Sequence, residues 1–460
     1  MAETLVAGVD SSTQSTKAVL CRAEDGTVVA QASAPHPDGT ECHPDHWWSA
    51  LSQVRELLER ADAVAVGAQQ HGMVALDGAG EVVRPALLWN DTRSAPQARA
   101  LVAELGGPET WAKRTGSVPL ASFTVTKLRW MAEHEPENAR RTEQVMLPHD
   151  WLTMRLGAAE PVTDRGDASG TGYWSPATGA YLPDLLRAAL GRDARTPRVA
   201  APGEAVGETA WGAALGAGTG DNMAAALGLG LRPGDVVVSI GTSGTAFAVA
   251  DAPAADPSGL VAGFADATGR FLPLVCTLNA ARILTAAAAL TGAALDELSA
   301  LALAAEPGAG GLTLLPYLDG ERTPDRPDAT GVLAGLTTSN ATRENLARAA
   351  VEALLCSLAD AVDHLAAQGV RPRRTLLIGG GARSAAVREL APAILGTPVT
   401  VPEPAEYVAL GAARQAAWAL AGTAEPPDWP AAPATEHTSD RTEAEVRERY
   451  TALRDSAPEI

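Results

Sequence analysis

The sequence predicts an α/β protein made of two similar halves, and three observations carry that reading. The stretches "LVAGVDSSTQSTKAVL" (5–20) and "VVVSIGTSGTAFAVA" (236–250) share one shape: an apolar strand, a turn of hydroxyls and glycines, and a resumed strand. Each is followed by segments of alternating helix and strand period, as helix–strand units on a sheet require. The chain has 460 residues, more than one hydrophobic core ordinarily organises. Aligning Asp10 with Ser239 sets Ser12-Thr13 against Gly241-Thr242, so the repeat falls at one structural point in each half. A duplicated fold with two facing turns predicts a cleft between the domains, a favoured place for a ligand.

The elements follow in order. Strands are expected at "TLVAGVD", "TKAVLCR" and "TVVAQAS", the last two joined by the hairpin signal Asp25-Gly26. A helix "DHWWSALSQVRELLER" and a strand "AVAVGAQ" come next. The second half repeats the meander with "DVVVSI", "GTAFAVA" and a hairpin around "TGRFLPLV". One long alanine-rich helix covers "ILTAAAALTGAALDELSALALAA", and the threonines, serine and acids at amphipathic spacing favour burial over a membrane span. Helix 342–368, strand 374–380, helix 384–395, strand 398–401 and helix 409–422 follow, and "EHTSDRTEAEVRERYTALRD" reads as a surface helix without chemistry. The expected domains are 1–230, 231–424 and a tail at 425–460.

Apolar residues make up 46% and charged residues 20%, as in a globular protein. A formal net charge of −19 excludes nucleic acid and anionic membranes as natural partners. Cys21, Cys42, Cys276 and Cys356 are scattered without a C-x-x-C pair, which suits a reducing cytoplasm and gives no zinc signal. The start "MAETLVAGVDSS" has no basic, apolar leader pattern, so a cytoplasmic location is expected.

Seven stretches carry candidate chemistry, and each also has a plain structural reading. The two hydroxyl turns could cradle phosphate on backbone N–H groups or could simply be turns. Asp10 ends an apolar strand, where a carboxylate suits Mg²⁺, and Lys17 lies seven residues on, where an ammonium suits phosphate. "IGGGARS" (378–384) offers glycines for the flat approach of a nucleoside, or a tight strand–helix turn. It lacks the G-x-G-x-x-G spacing, and no G-x-x-x-x-G-K-[ST] occurs anywhere. "GTGDN" places Asp221 and Asn222 at a helix start, where an aspartate either caps the helix or acts as a general base. "QQHG" contributes Gln70 and His71, neutral donors and acceptors suited to a polyhydroxylated ligand. "WNDTR" (89–93) could line a site or form an ordinary ion pair, and "YLDGERTP" (317–324) could be a lining loop or a surface turn.

Together these stretches resemble the FGGY carbohydrate kinases, and among them most closely the kinases of xylulose. Two long patterns carry the resemblance, "SFTVTKLRWMAEH" (122–134) and "GVLAGLTTSNATRENLARAAVE" (331–352), with "QQHG", "WNDTR", "GDN", "GTSG", "GERTP" and "GGGARS" in order between and around them. The resemblance implies a two-domain duplicated actin-like (ribonuclease-H-like) ATPase fold with an interdomain cleft that closes over its substrates. It implies ATP-dependent phosphorylation of D-xylulose to D-xylulose 5-phosphate with Asp221 as general base. Gln70, His71 and Asn222 would contact the sugar. Thr13, Lys17, Gly241, Thr242, Ser243, Gly380 and Gly381 would bind nucleotide, and Asp10 would face Mg²⁺. A homodimer is common in the family. Ser12 replaces the glycine usual in the first loop, and Gln70 replaces a frequent methionine. Another family member acting on a different ketose, polyol or sugar acid is the nearest alternative. A non-catalytic actin-like ATP-binding sensor or filament protein is the alternative from another class, and the sugar-side "QQHG" argues against it.

Overall fold

In the computed structural model residues 3–456 are described, and their packing divides them into two units. The first takes the chain up to Leu231, Ala250–Leu272 and Ala405–Ala431. The second takes Arg232–Val249, Pro273–Pro404 and the chain from Ala432 onward.

In the first unit the strand Leu5–Ser11 pairs antiparallel with Ser15–Arg22, and that strand pairs antiparallel with Val28–Pro35. On its other side Leu5–Ser11 pairs parallel with Ala63–Ala68. Ala214–Gly216 adds a further parallel strand, and Ala205–Glu208 closes that edge antiparallel. The second unit repeats this plan. Asp235–Ile240 pairs antiparallel with Gly244–Ala248 and parallel with Arg374–Ile378. Residues of Phe271–Thr277 add the third strand of the meander, Val399–Pro402 the next parallel strand, and Ala434–His437 an antiparallel edge. The repeat suspected from two short turns therefore extends through six strands of each sheet.

Alternation along the first strand explains why its sheet is covered on both faces. Ala7 and Val9 join a core with Trp47, Leu51, Leu58, Val64, Val66 and Trp151. Val6, Val19, Ala63 and Ala65 face the opposite way and meet Ala409, Ala413, Ala416 and Ala417 of the helix Tyr407–Ala421. That helix departs from the expected division at 231–424, because it packs with the first unit. The reason is steric. A Cβ on Gly8 would stand 1.9 Å from the Ala409 carbonyl oxygen, one on Gly411 1.8 Å from the Ala224 oxygen, and one on Gly228 2.2 Å from the Tyr407 oxygen. Backbone meets backbone here, which only glycine allows. Residues expected in the tail also join this unit, since Trp429 covers Gly26 and its indole N–H donates to the Ala23 carbonyl at 3.0 Å.

Two further expectations change. The long alanine-rich helix is two helices, Ala281–Thr291 and Leu295–Ala304, bent by 84°. Gly292 ends the first in the left-handed conformation, φ 64°, the usual glycine stop. Among the described residues no single helix is long and apolar enough to cross a membrane. The expected tail helix begins only at Ala444, because 434–437 is edge strand, and Ala444–Ser456 buries Val446 and Tyr450 while Arg447 and Arg454 pair with Asp360. The helix Arg343–Ala367 forms as expected, capped by Thr342, whose hydroxyl accepts from the Asn345 N–H.

The glycine contact gives a direct prediction. Gly411→Ala forces a backbone shift of the overpacking kind, which costs about 1–3 kcal/mol. Urea unfolding should show a lowered midpoint with an unchanged slope, whereas Gly396→Ala, at a position with open space around it, should lose only what its left-handed backbone demands.

Candidate active site

Two carboxylates of the first unit are placed by that packing. Asp10 lies next to the end of the central strand, opposite Lys17, and Asp221 opens the helix Asp221–Gly228 directly after the short strand Thr219–Gly220. Asp10 is buried and accepts the Ser12 hydroxyl at 2.5 Å. The serine that replaces a family glycine thus serves as a donor to the carboxylate beside it. Burial pushes Asp10 up to about 6, with the Ser12 bond and Lys17 opposing. Lys17 donates to Glu406 at 2.7 Å, both side chains being half exposed. Thr13 accepts the Trp89 indole N–H at 2.8 Å, so Trp89 is a partly exposed wall of this turn and not core.

Asp221 is half-buried, and one oxygen accepts both the backbone N–H of Asn222 at 2.8 Å and its side-chain N–H at 2.9 Å. Burial first, then the charge of Asp10, push its carboxyl up to about 7. The Asn222 bonds oppose this, and Asp167 adds to it. A carboxylate poised near neutrality can take a proton from a hydroxyl in its reach. The amide of Asn222 also donates to Gln70 Oε1 at 3.3 Å, while Gln70 Nε2 is buried without a protein partner. His71 has a positive φ of 69°, uncommon for a side chain of that size. Its Nδ1 donates to the Gly170 carbonyl at 2.7 Å, and its ring rests against Phe123 and Phe264. That bond sets the tautomer, so neutral His71 carries its lone pair on Nε2. Gly220 and Gly170 are needed for this arrangement: a Cβ on either would approach Gln70 Cγ to 2.8 Å or His71 Nδ1 to 2.9 Å.

Behind these residues lies a group that the sequence reading missed. His149, fully buried, sets Nδ1 2.7 Å from Asp167 and Nε2 3.2 Å from Asp150. Burial alone would lower His149, but Asp150, Asp167 and Asp164 outweigh it and hold it at about 9. Asp164 accepts the N–H groups of Gly166 and Asp167 and the Thr219 hydroxyl at 2.8 Å. It therefore ties the cluster to the strand that delivers Asp221. The signal was available as "PHD" and "TDRGD", polar pairs inside otherwise apolar surroundings. "WNDTR" takes its structural reading beyond Trp89, since Asp91 pairs with Arg93 and accepts the Thr40 hydroxyl.

In the second unit Gly241, Thr242 and Ser243 form the turn between the first two strands, with Thr242 exposed. Gly380 is exposed and has open space around it, whereas Gly381 is buried and a Cβ there would stand 2.2 Å from Ile240 Cγ2. The missing side chain at Gly381 answers to packing, and Gly380 alone offers an open face.

The charge arrangement predicts a spectroscopic result. The Asp221 carboxyl band, isolated as an infrared difference against Asp221→Asn, should titrate near 7. In Asp167→Asn one repelling charge is gone, so the band should titrate at lower pH. An unchanged midpoint would remove Asp167 from the electrostatics of Asp221.

Comparison with known proteins identifies the family. Residues 5–230 match the N-terminal domain model of the FGGY family of carbohydrate kinases, and residues 236–420 match the C-terminal one. The xylulose kinase of Streptomyces coelicolor is 50% identical over 91% of this chain and 88% of its own. That of Escherichia coli is 36% identical over 89% of both chains. The crystal structure of xylulose kinase from Bifidobacterium adolescentis superposes with a TM-score of 0.92, 46% identical, covering 98% of this chain and 99% of that one. Glycerol kinase from Plasmodium falciparum, 18% identical with a TM-score of 0.86 and covering 99% of this chain and 97% of that one, shares the fold. With both domain models matched in order, the two units are the halves of the duplicated actin-like ATPase fold, and the chain belongs to the FGGY family of carbohydrate kinases.

Proposed function

We propose that this carbohydrate kinase transfers the γ-phosphoryl group of ATP to the terminal hydroxyl of D-xylulose, giving D-xylulose 5-phosphate, with Asp221 as the general base. The observation that carries the sugar side is the buried, unpartnered Gln70 Nε2 beside Asn222 and Asp221. An amide donor left unmet in the interior costs about 1–3 kcal/mol, and a sugar oxygen would meet it. His71, held through Gly170, is assigned to the sugar beside Gln70. The identity to xylulose kinases supports this choice among sugars.

As the sugar oxygen attacks phosphorus, Asp221 takes its proton, and the Asn222 donors keep the carboxylate oriented for that transfer. Thr13 and Lys17 are assigned to the donor phosphates, together with Gly241, Thr242 and Ser243, and Gly380 to the nucleoside. Lys17 must exchange its Glu406 partner for phosphate, which its half-exposed position permits. The residues fit Mg²⁺ on the Asp10 side. Asp10 is a buried carboxylate raised toward neutrality, with a second carboxylate near enough to be raised by it, and hard cations take such oxygen ligands. Asp10 would hold the ion, which when bound supplies positive charge against the donor phosphates.

Coupled ADP production with Mg-ATP across D-xylulose, L-ribulose, glycerol and gluconate tests the reading. Preference for D-xylulose is expected. Preference for another sugar would discard the substrate, and no sugar-dependent ADP release would discard the transfer. Asp221→Asn should lower kcat by about 10²–10⁴-fold, the range of a lost general base, while calorimetric affinities for sugar and ADP stay. Activity in the wild type should fall on the acid side of its pH profile, as the Asp221 base is protonated.

A further inference from the structure

The turn "YLDGERTP" stood between two readings in the sequence, and the structure supports neither in its plain form. Glu321 is 1% exposed. One of its oxygens accepts the backbone N–H of Leu278 at 2.6 Å and that of Arg322 at 2.8 Å, and the other accepts Asn279 Nδ2 at 3.0 Å. Asn279, itself fully buried, also donates to the Gly320 carbonyl at 2.7 Å, and the Thr323 hydroxyl donates to the Cys276 carbonyl at 2.7 Å. Residues 320–323 thus clasp the elbow at 278–280, where the strand Phe271–Thr277 turns into the helix Ala281–Thr291.

The elbow in turn grips the hydroxyl turn of the second unit. Ala281 donates its N–H to the Gly241 carbonyl at 2.8 Å, and Ala280 donates to the Thr242 carbonyl at 3.2 Å. These are N–H groups at a helix start, which have no partner inside the helix. A trans peptide is planar, with its N–H opposite its carbonyl. Pinning the carbonyls of Gly241 and Thr242 on the elbow therefore directs the N–H groups of Thr242 and Ser243 the other way. Two successive amides aimed outward from a turn are the donors a phosphate oxygen needs.

We propose that Glu321 is a positioning residue for nucleotide binding: by holding Leu278 and Asn279 it sets the elbow that orients the amides of Thr242 and Ser243. This rests on the reading that Gly241–Ser243 receive the donor phosphates. The carboxylate is the suited group, because ionised it only accepts, and four N–H donors, Thr323 at 3.5 Å being the longest, converge on it. Glutamine would turn an NH₂ toward one of those donors and release part of the elbow.

The test compares Glu321→Gln with Thr242→Pro, which removes one of the two amide donors, by steady-state kinetics and by ADP titration calorimetry. Glu321→Gln should raise KM for Mg-ATP and Kd for ADP about tenfold, the effect of losing one oriented donor, with KM for the sugar unchanged. Equal losses for sugar and nucleotide, or unchanged ADP affinity in a folded variant, would overturn the positioning role. If Glu321→Gln fails to fold, Thr323→Val removes only the bond to Cys276, and it should show the same nucleotide-selective loss at smaller size. No loss there would likewise overturn the proposal. The proline variant separates the two levels: unchanged ADP affinity in it removes the phosphate reading itself, whereas weakened ADP binding in it but not in Glu321→Gln removes the clasp alone.

Discussion

The first unit depends on one steric constraint, the backbone contact of the helix Tyr407–Ala421 with the strand Leu5–Ser11 and the helix Asp221–Gly228. Three glycines, Gly8, Gly228 and Gly411, leave room for carbonyl oxygens where any Cβ would collide. The strand held this way carries Asp10 next to its end, the helix held this way begins with Asp221, and Glu406, just before the packing helix, meets Lys17. Alanines cover the rest of the contact, since small side chains keep the approach close without leaving voids. One packing event therefore positions both carboxylates and the lysine near them.

The electrostatics follow from that placement. Burial raises both of the two carboxylates, the charge of Asp10 raises Asp221 further, and a third, Asp167, adds to Asp221. What keeps Asp167 compatible with burial is His149, held in a positive form between Asp167 and Asp150. Removing one partner of such a group leaves a buried charge uncompensated. The same segment supplies the Gly170 carbonyl that holds His71. The buried cluster thus braces the candidate base through Asp164 and Thr219 and lies next to the brace of His71. The second unit uses a comparable device, a buried carboxylate that organises a turn through amides, although there the acid is Glu321 and no histidine takes part.

Much of this was legible before any coordinates. Strand period marked the meanders, and "GDN" and "QQHG" marked residues that the first unit brings into one network, Asn222 linking Asp221 to Gln70. Period does not show where an alanine-rich segment bends, because alanine favours helix on either side of Gly292, and only the left-handed glycine marks the break. Glycine itself is ambiguous in sequence. Gly380 and Gly381 are adjacent and identical as letters, yet one faces open space and the other fills against Ile240.

What the sequence by itself determined is the local content: the elements, the repeat, the family patterns and the acids, amides and hydroxyls that are candidates for the chemistry. These follow from side-chain period and turn chemistry, which act over a few residues. Tertiary structure alone decided that residues 405–431 pack with the first unit, that His149 is charged between buried aspartates, and that Glu321 supports a turn some eighty residues before it. Such outcomes depend on which backbones can approach within hydrogen-bond or van der Waals distance. That is fixed by packing among residues distant in the chain, which no local pattern encodes.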